Sequence, residues 1–161
     1  KFGIDARGLR YPGIISSETL PGGGTTDYAV EIFYEAIKNK KYTCFVKKDT
    51  RLPMMYMPDC IKATIDLMEA DISSLKHHCD FNVGSMSFTA GELADEIKKH
   101  IPEFECEYKP DFRQDIADSW PSSIDDSAAR EEWNWNPSHD LSSMTEDMLE
   151  KLGKRHKEGK L

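Results

Sequence analysis

The sequence predicts an α/β fold, and three features support that prediction. Short apolar runs typical of buried strands alternate along the chain with segments whose apolar residues recur at helical spacing. A glycine-rich loop at 22–24 separates the first apolar run from the first helical segment. The 161 residues are 39% hydrophobic and 31% charged, which is enough for a domain with a core.

The first two elements flank that loop. Ile4–Ile15 is predicted to be a buried strand of a large parallel sheet, and its exit turn contains Pro12 and Gly13. Residues 26–38 are predicted to form an amphipathic helix, because their apolar side chains recur every three or four positions.

Two short strands and a second helix follow. The strands are predicted at 42–46 and 52–57, joined by a charged turn at 47–49. Pro58 and Asp59 open the helix. Its apolar face is predicted to contain Ile61, Ile65, Leu67 and Met68.

The rest of the chain continues the alternation. Thr89 is a predicted N-cap for a helix that runs to about Lys99, and Asp125–Ser127 begin a helix that ends near Trp133. Trp133 and Trp135 are expected in the core. The remaining predicted elements are strands at 81–83 and 105–108 and a last helix at about 142–154.

Composition excludes several functions. The formal charge of −8 argues against nucleic-acid binding, and the basic run at 151–157 is interpreted as a solvated end. No apolar run reaches the ~18 residues of a membrane span, and no signal peptide is visible.

Cysteine and histidine placement argues against a metal centre. Cys44, Cys60, Cys79 and Cys106 are scattered without CxxC pairs, which favours free thiols in a reducing compartment. Adjacent side chains of an extended 77–79 segment point to opposite sides, so they would not converge on one ion. We expect no metal.

The loop before the first helix is the best candidate ligand site. Glycines allow the first backbone N–H groups of a helix to face an anion, and Thr25 and Thr26 add hydroxyls. A small polar substrate with a carboxylate would fit. The alternative is a flexible turn followed by an ordinary N-cap, and the spacing leaves both open.

Catalytic motifs are otherwise missing. There is no G-x-G-x-x-G after a strand and no Ser/His/Asp or Cys/His arrangement. Tyr34 and Lys38 form a Tyr-x-x-x-Lys, a spacing that can lower a tyrosine's pKa for proton transfer. Here the pair follows the Tyr-Pro-Gly strand, and we interpret it as an ordinary exposed helix pair.

Several motifs resemble one known family. They are Arg10–Ser16 (RYPGIIS), Pro21–Val30 (PGGGTTDYAV), Arg51–Tyr56 (RLPMMY) with Asp59 and Cys60, Ser85–Thr89 (SMSFT), Arg113–Pro121 (RQDIADSWP), and Asp126–Arg130 (DSAAR) followed by Trp133 and Trp135. Through them nearly the whole chain resembles the carboxy-terminal half of the extended short-chain dehydrogenase/reductases that oxidise L-threonine.

The resemblance implies roles for particular residues. Ile14 would contact the nicotinamide carboxamide of NAD through its backbone, with Tyr11, Pro12 and Gly13 shaping the turn. The substrate, L-threonine, would meet a second group of residues. That group is Gly24, Thr25, Thr26, Asp27 and Trp120.

The resemblance also implies a larger protein. The catalytic tyrosine and lysine and the pyrophosphate loop would lie upstream of Lys1, so no catalytic residue is expected in this chain. Residues 1–20 would form the last part of a dinucleotide-binding sheet, and 21–161 mostly a small mixed α/β substrate lobe interleaved with remaining sheet elements. A mitochondrial location, a homodimer and association with the missing amino-terminal half are implied as well.

Two alternatives remain. Related sugar-nucleotide epimerases and dehydratases carry an arginine that clamps a diphosphate. Aligning Asp59 with their motif puts Leu52 at that position, while Arg51 is one residue off and faces the opposite side of a strand. The other alternative is a non-catalytic binding module derived from the substrate lobe.

Overall fold

The computed structural model describes residues 3–161 and confirms the α/β class, with seven strands, six α-helices and a short 3₁₀ helix at Ile72–Ser74 in that range. The strands are β1 (Leu9–Arg10), β2 (Gly13–Ile15), β3 (Lys41–Cys44), β4 (Arg51–Tyr56), β5 (Phe81–Asn82), β6 (Met86–Thr89) and β7 (Glu105–Tyr108). The helices are α1 (Tyr28–Asn39), α2 (Met57–Glu69), α3 (Ala90–His100), α4 (Arg113–Asp118), α5 (Ser127–Trp133) and α6 (Leu141–Lys157).

Three small sheets organise these strands. In the largest, β4 lies between β2, to which it is parallel, and β6, to which it is antiparallel. The other two are the parallel pairs β1–β5 and β3–β7. Parallel neighbours require long crossover connections, and helices provide them here.

Strand β6 and helix α4 were not predicted from the sequence.

The prediction of one buried strand over Ile4–Ile15 is wrong. Only Leu9–Arg10 and Gly13–Ile15 are strands, and they pair with different partners, β5 and β4. Pro12 lies between them, lacks a backbone N–H and restricts the residue before it, which interrupts the ladder. Ile4 is 79% exposed.

Two apolar cores lie on either side of β4. The first joins α1, α3 and α6 to β3 and β4, and it includes Phe33, Leu52 and Met148. The second lies beneath α2 and α5, and includes Met55 and Phe81. Trp133 and Trp135 belong to the second core, as predicted.

Helix α2 turns a different face inward from the one predicted. Ala63 and Leu67 are buried, whereas Ile61, Ile65 and Met68 are 53%, 48% and 71% exposed. The apolar residues of α2 lie on two faces of the helix. The face that contains Ala63 packs on the core, because the small Ala63 side chain lets the helix approach closely. An apolar stripe therefore remains uncovered.

A buried carboxylate ties α2 to the segment that leads into α6. Asp59 is 1% exposed and accepts backbone hydrogen bonds from Ser138 (2.9 Å) and His139 (3.0 Å). Buried carboxylates need such partners, so Asp59 serves the fold. Sequence reasoning did not assign it this role.

Capping boxes begin two helices. Thr89 accepts from the N–H of Glu92 at the start of α3, which confirms the predicted cap. At the start of α6, Asp140 accepts from the N–H of Ser143 (2.8 Å), and Ser143 Oγ accepts from the N–H of Asp140 (3.0 Å). The Ser143 N–H lowers the pKa of the Asp140 carboxyl.

Asp140→Asn should therefore lose a pH-dependent contribution to stability. Because the folded pKa is depressed, that contribution is present above the unfolded value of about 3.9 and is lost as pH falls through the folded value. We expect a deficit of about 0.3–1 kcal/mol at pH 7 that shrinks progressively as pH falls below about 3.9, measured by urea unfolding. Glu150→Gln, an exposed change on the same helix, is the control. A deficit independent of pH would contradict the assignment.

Candidate functional site

The turn after β1 and the glycine loop meet at Gly13. A Cβ added at Gly13 would lie 2.6 Å from Met54 Sδ and 2.8 Å from Thr26 Cγ2. Real side chains do not approach so closely, so position 13 must lack one for the present packing. The structure thus brings the predicted nicotinamide turn and the predicted substrate loop into contact.

The other turn residues face the sheet and α2. Ile14 pairs with Met55 in the parallel β2–β4 ladder and is half-buried, as is Pro12. Tyr11 turns its hydroxyl toward α2, where it lies 2.6 Å from Thr64 Oγ1. Tyr11 therefore anchors the turn to a helix.

Asp27 holds the glycine loop in shape. Its Oδ2 accepts backbone hydrogen bonds from Gly22 (2.6 Å) and Gly24 (2.9 Å). Gly23 between them has φ = 92°, a conformation that L side chains rarely adopt. The sequence suggested Asp27 as a substrate contact, and the structure gives it this further, local role.

Thr25 and Thr26 lie at the mouth of the loop. Both are half-buried and precede Asp27, the N-cap residue of α1, and the Thr26 carbonyl accepts from the N–H of Ala29 (3.1 Å). Their position at a helix N-terminus is favourable for a carboxylate.

Arg113 lies between the loop and the core, and sequence reasoning gave it no separate role. Its guanidinium carbon lies 3.2 Å from the ring centroid of Phe45, and its Nη2 is 2.7 Å from Asp111 Oδ2. Nη1 also approaches the carbonyl of Gly23 at 3.5 Å. The guanidinium lowers the pKa of the Asp111 carboxyl through these hydrogen bonds. The sequence feature that could have identified Arg113 is its place in the Arg113–Pro121 motif.

Trp120 lies just beyond α4, 44% exposed, in a depression of about 260 Å³. Lys47, Thr50, Arg51 and Asp118 also line this depression. The buried Gln114 accepts from the N–H of Lys47 (2.7 Å) and bonds Thr50, which joins α4 to the start of β4. Helix α4 therefore positions Trp120 at one end and Arg113, next to the loop, at the other.

Tyr34 and Lys38 are not an exposed pair, so that interpretation is wrong for Tyr34. Tyr34 is 5% exposed because α1 turns it inward, and its hydroxyl has no hydrogen-bond partner among residues 3–161. Lys38 Nζ lies 5.7 Å from the ring centroid of Tyr34. The ammonium thus lies over the ring of Tyr34.

Cys44 is buried within the fold, and His77 contacts a carboxylate. Cys44 is buried, and burial raises the pKa of its thiol to about 12. His77 Nδ1 lies 2.5 Å from Glu132 Oε1, and the other Glu132 oxygen accepts from the N–H groups of Lys76 and His77.

No helix in the described part of the chain is long and apolar enough to cross a membrane.

Comparison with known proteins decides the family. The mitochondrial L-threonine 3-dehydrogenase of Bos taurus is 53% identical over 150 residues, which are 92% of this chain and 40% of that protein. The crystal structure of L-threonine dehydrogenase from Phytophthora infestans superimposes with a TM-score of 0.93 at 60% identity, over 96% of this chain and 50% of that one. The chain is homologous to the carboxy-terminal half of the L-threonine 3-dehydrogenases.

The chain also matches relatives that carry a different name. An uncharacterised epimerase/dehydratase of Staphylococcus haemolyticus is 51% identical over 94% of this chain and 48% of its own length. The chain thus spans about half the length of the relatives it matches. No family model matches it.

The loop-holding role of Asp27 predicts an effect of Asp27→Ala on local dynamics. Removing the acceptor leaves the N–H groups of Gly22 and Gly24 without their partner, so their amide exchange should accelerate at least tenfold, measured by hydrogen exchange. Asp27→Asn keeps a side-chain oxygen and should accelerate exchange less. Equal exchange in wild type and Asp27→Ala would show that the carboxylate does not hold the loop.

Proposed function

We propose that this chain is the substrate-binding half of an NAD-dependent L-threonine 3-dehydrogenase. The single observation that supports this best is the contact at Gly13 and Thr26 between the turn and the loop. One of these segments is suited to a cofactor and the other to a small amino acid. Two relatives of this chain, 53% and 60% identical to it, are named L-threonine 3-dehydrogenase and L-threonine dehydrogenase.

The reaction would convert L-threonine to 2-amino-3-oxobutanoate in threonine catabolism. NAD, when bound, supplies the acceptor for the hydride that leaves the β-carbon. The resemblance assigns the carboxamide contact to the backbone of Ile14, in the turn Tyr11–Ile14 that the β2–β4 ladder holds in place. The tyrosine and lysine that move the hydroxyl proton would belong to the other half of the protein.

The residues of this chain would bind and orient threonine. The hydroxyls of Thr25 and Thr26, with the helix N-terminus, would hold its carboxylate and hydroxyl. Asp27 uses Oδ2 for the loop, so Oδ1 would accept from the ammonium group. Gly24 allows the ligand to approach the backbone, and the exposed ring of Trp120 would cover the bound amino acid and exclude water.

The epimerase/dehydratase alternative is less well supported. The names of the staphylococcal relatives favour it. Against it, Arg51 is already engaged, with Nη1 2.7 Å from the Ser87 carbonyl and Nη2 2.7 Å from Glu92 Oε1. A diphosphate clamp would have to break both contacts. A non-catalytic module is the remaining alternative.

Further features belong to the proposed whole protein. We propose a mitochondrial location, which the names of the cow and pig relatives support. We also propose a homodimer, and a division in which residues 1–20 complete a dinucleotide-binding sheet while 21–161 supply mostly the substrate lobe.

In the completed enzyme, Trp120→Ala and Asp27→Ala should raise the KM for threonine about tenfold or more. The KM for NAD should change little, because neither side chain is proposed to contact the cofactor. Asp27→Ala also removes the acceptor that holds the glycine loop, whereas Asp27→Asn keeps a side-chain oxygen there and separates the two effects. Steady-state kinetics with each substrate varied would measure this. Ile116→Ala, an exposed change on α4, and Asp27→Asn serve as controls. Equal losses for both substrates would show that the substrate site is misplaced.

The 161 residues alone should form no NADH from threonine, because the chain has substrate contacts but no proton acceptor and no pyrophosphate loop. Absorbance at the NADH band, with threonine and NAD at saturating concentrations, is the measurement. The completed enzyme is the positive control. Threonine-dependent NADH formation by the chain alone would refute this assignment.

A further inference from the structure

Gln114, near the start of α4, has a buried carboxamide whose hydrogen bonds are complete. The residue is 4% exposed. Its Oε1 accepts from the N–H of Lys47 (2.7 Å), and its Nε2 donates to Asp118 Oδ1 (2.6 Å). Thr50 Oγ1 lies 3.0 Å from Nε2 and 3.1 Å from Oε1, so it can accept from the first and donate to the second. Both donor and both acceptor positions of the amide are therefore used within the fold.

Helix α4 depends on these bonds for its placement. It has six residues, and helices of that length have little stability of their own in water. Gln114 and the small Ala117 are its buried residues, whereas Ile116 is 40% exposed. The ion pair between Lys47 and Asp118 (3.3 Å) is half-exposed at both ends, so it contributes little. The Gln114 carboxamide is thus the main polar connection between α4 and the turn before β4.

Both ends of α4 reach the candidate site. Arg113 directly precedes Gln114, and its Nη1 lies 3.5 Å from the Gly23 carbonyl of the glycine loop. Trp120 follows the other end of the helix, where its N–H donates to the Ala117 carbonyl (3.1 Å). A displacement of α4 would therefore move the Trp120 ring and the Arg113 guanidinium together.

We propose that Gln114 is a positioning residue for amino-acid binding. Its carboxamide fixes the orientation of α4, and α4 in turn holds Trp120 over the bound amino acid and Arg113 beside the glycine loop. Gln114 itself touches no substrate, because its amide is buried and has no free donor or acceptor. This role rests on the proposed function, in which Trp120 covers threonine, and it adds a residue that acts on threonine affinity through another residue.

The first test is Gln114→Met in the completed enzyme. Methionine is similar in length and flexible enough to fill the space, but it makes none of the amide bonds. We expect the KM for threonine to rise about fivefold or more, while the KM for NAD changes less than about twofold. A residue that only stabilised the fold would lower the midpoint of unfolding and leave both KM values of the folded enzyme unchanged.

Thr50 offers a matched pair of variants for the same bonds. Thr50→Val keeps the branched shape and removes the hydroxyl that bonds the Gln114 amide, so it should also raise the KM for threonine. Thr50→Ser keeps the hydroxyl and should give a KM within about twofold of wild type. Ile116→Ala, an exposed change on the same helix, is the control for α4 itself.

A second measurement does not depend on activity. In the completed protein labelled with a fluorinated tryptophan, the fluorine NMR resonance of Trp120 is assigned by Trp120→Phe. Gln114→Met should shift or broaden that resonance, because the ring loses its fixed position. The resonances of Trp133 and Trp135 should stay in place, because these side chains belong to the second core, whereas α4 packs on the first through Ala117.

Three results would overturn the proposal. They are an unchanged KM for threonine in active Gln114→Met, an unchanged Trp120 resonance in that variant, and equal rises in the KM for threonine and for NAD. A completed wild-type protein that does not oxidise threonine would refute the proposed function instead. The fluorine resonances would then still decide whether Gln114 positions Trp120.

Discussion

Strand β4 is the constraint on which the rest of the structure depends. In the described residues it is the middle strand of the only three-stranded sheet, with β2 parallel on one edge and β6 antiparallel on the other. Its side chains alternate between the two cores, with Met54 in the first and Met55 in the second. A strand buried on both faces and paired on both edges cannot shift register without disrupting both cores. Gly13 pairs with Met54 in the β2–β4 ladder, so β4 also fixes the position of the turn at Gly13.

The candidate site has this rigidity on one side and a locally built loop on the other. The turn is held by the β2–β4 ladder, whereas the loop is held by Asp27 and approached by Arg113. Under the proposed function Asp27 would link loop shape to ligand contact, with Oδ2 holding the loop and Oδ1 accepting from the ligand. Binding geometry then requires little reorganisation, which lowers the entropic cost of ordering a small ligand.

Local features were predictable from the sequence, and non-local ones were not. Helix α3 and its Thr89 cap were predicted because capping depends on residues three positions apart. The split of Ile4–Ile15 depends on pairing with β4 and β5, which lie far along the chain, and the inward face of α2 depends on which partner it meets. Likewise, motif resemblance suggested the turn Tyr11–Ile14 and the loop Gly24–Asp27 as binding segments. The contact between them through Gly13 and Thr26, and the position of Arg113, depend on three-dimensional packing.

The contrasting environments of the three tryptophans have a practical consequence. Trp133 and Trp135 are 7% and 2% exposed within one core, and the Trp135 indole donates to the Gly84 carbonyl, whereas Trp120 is 44% exposed in its depression. Their fluorescence should therefore separate into a blue, quencher-resistant background and one red-shifted, quencher-accessible emitter. Under the proposed function Trp120 covers the bound amino acid, so its emission would report ligand occupancy in the unlabelled protein without any turnover.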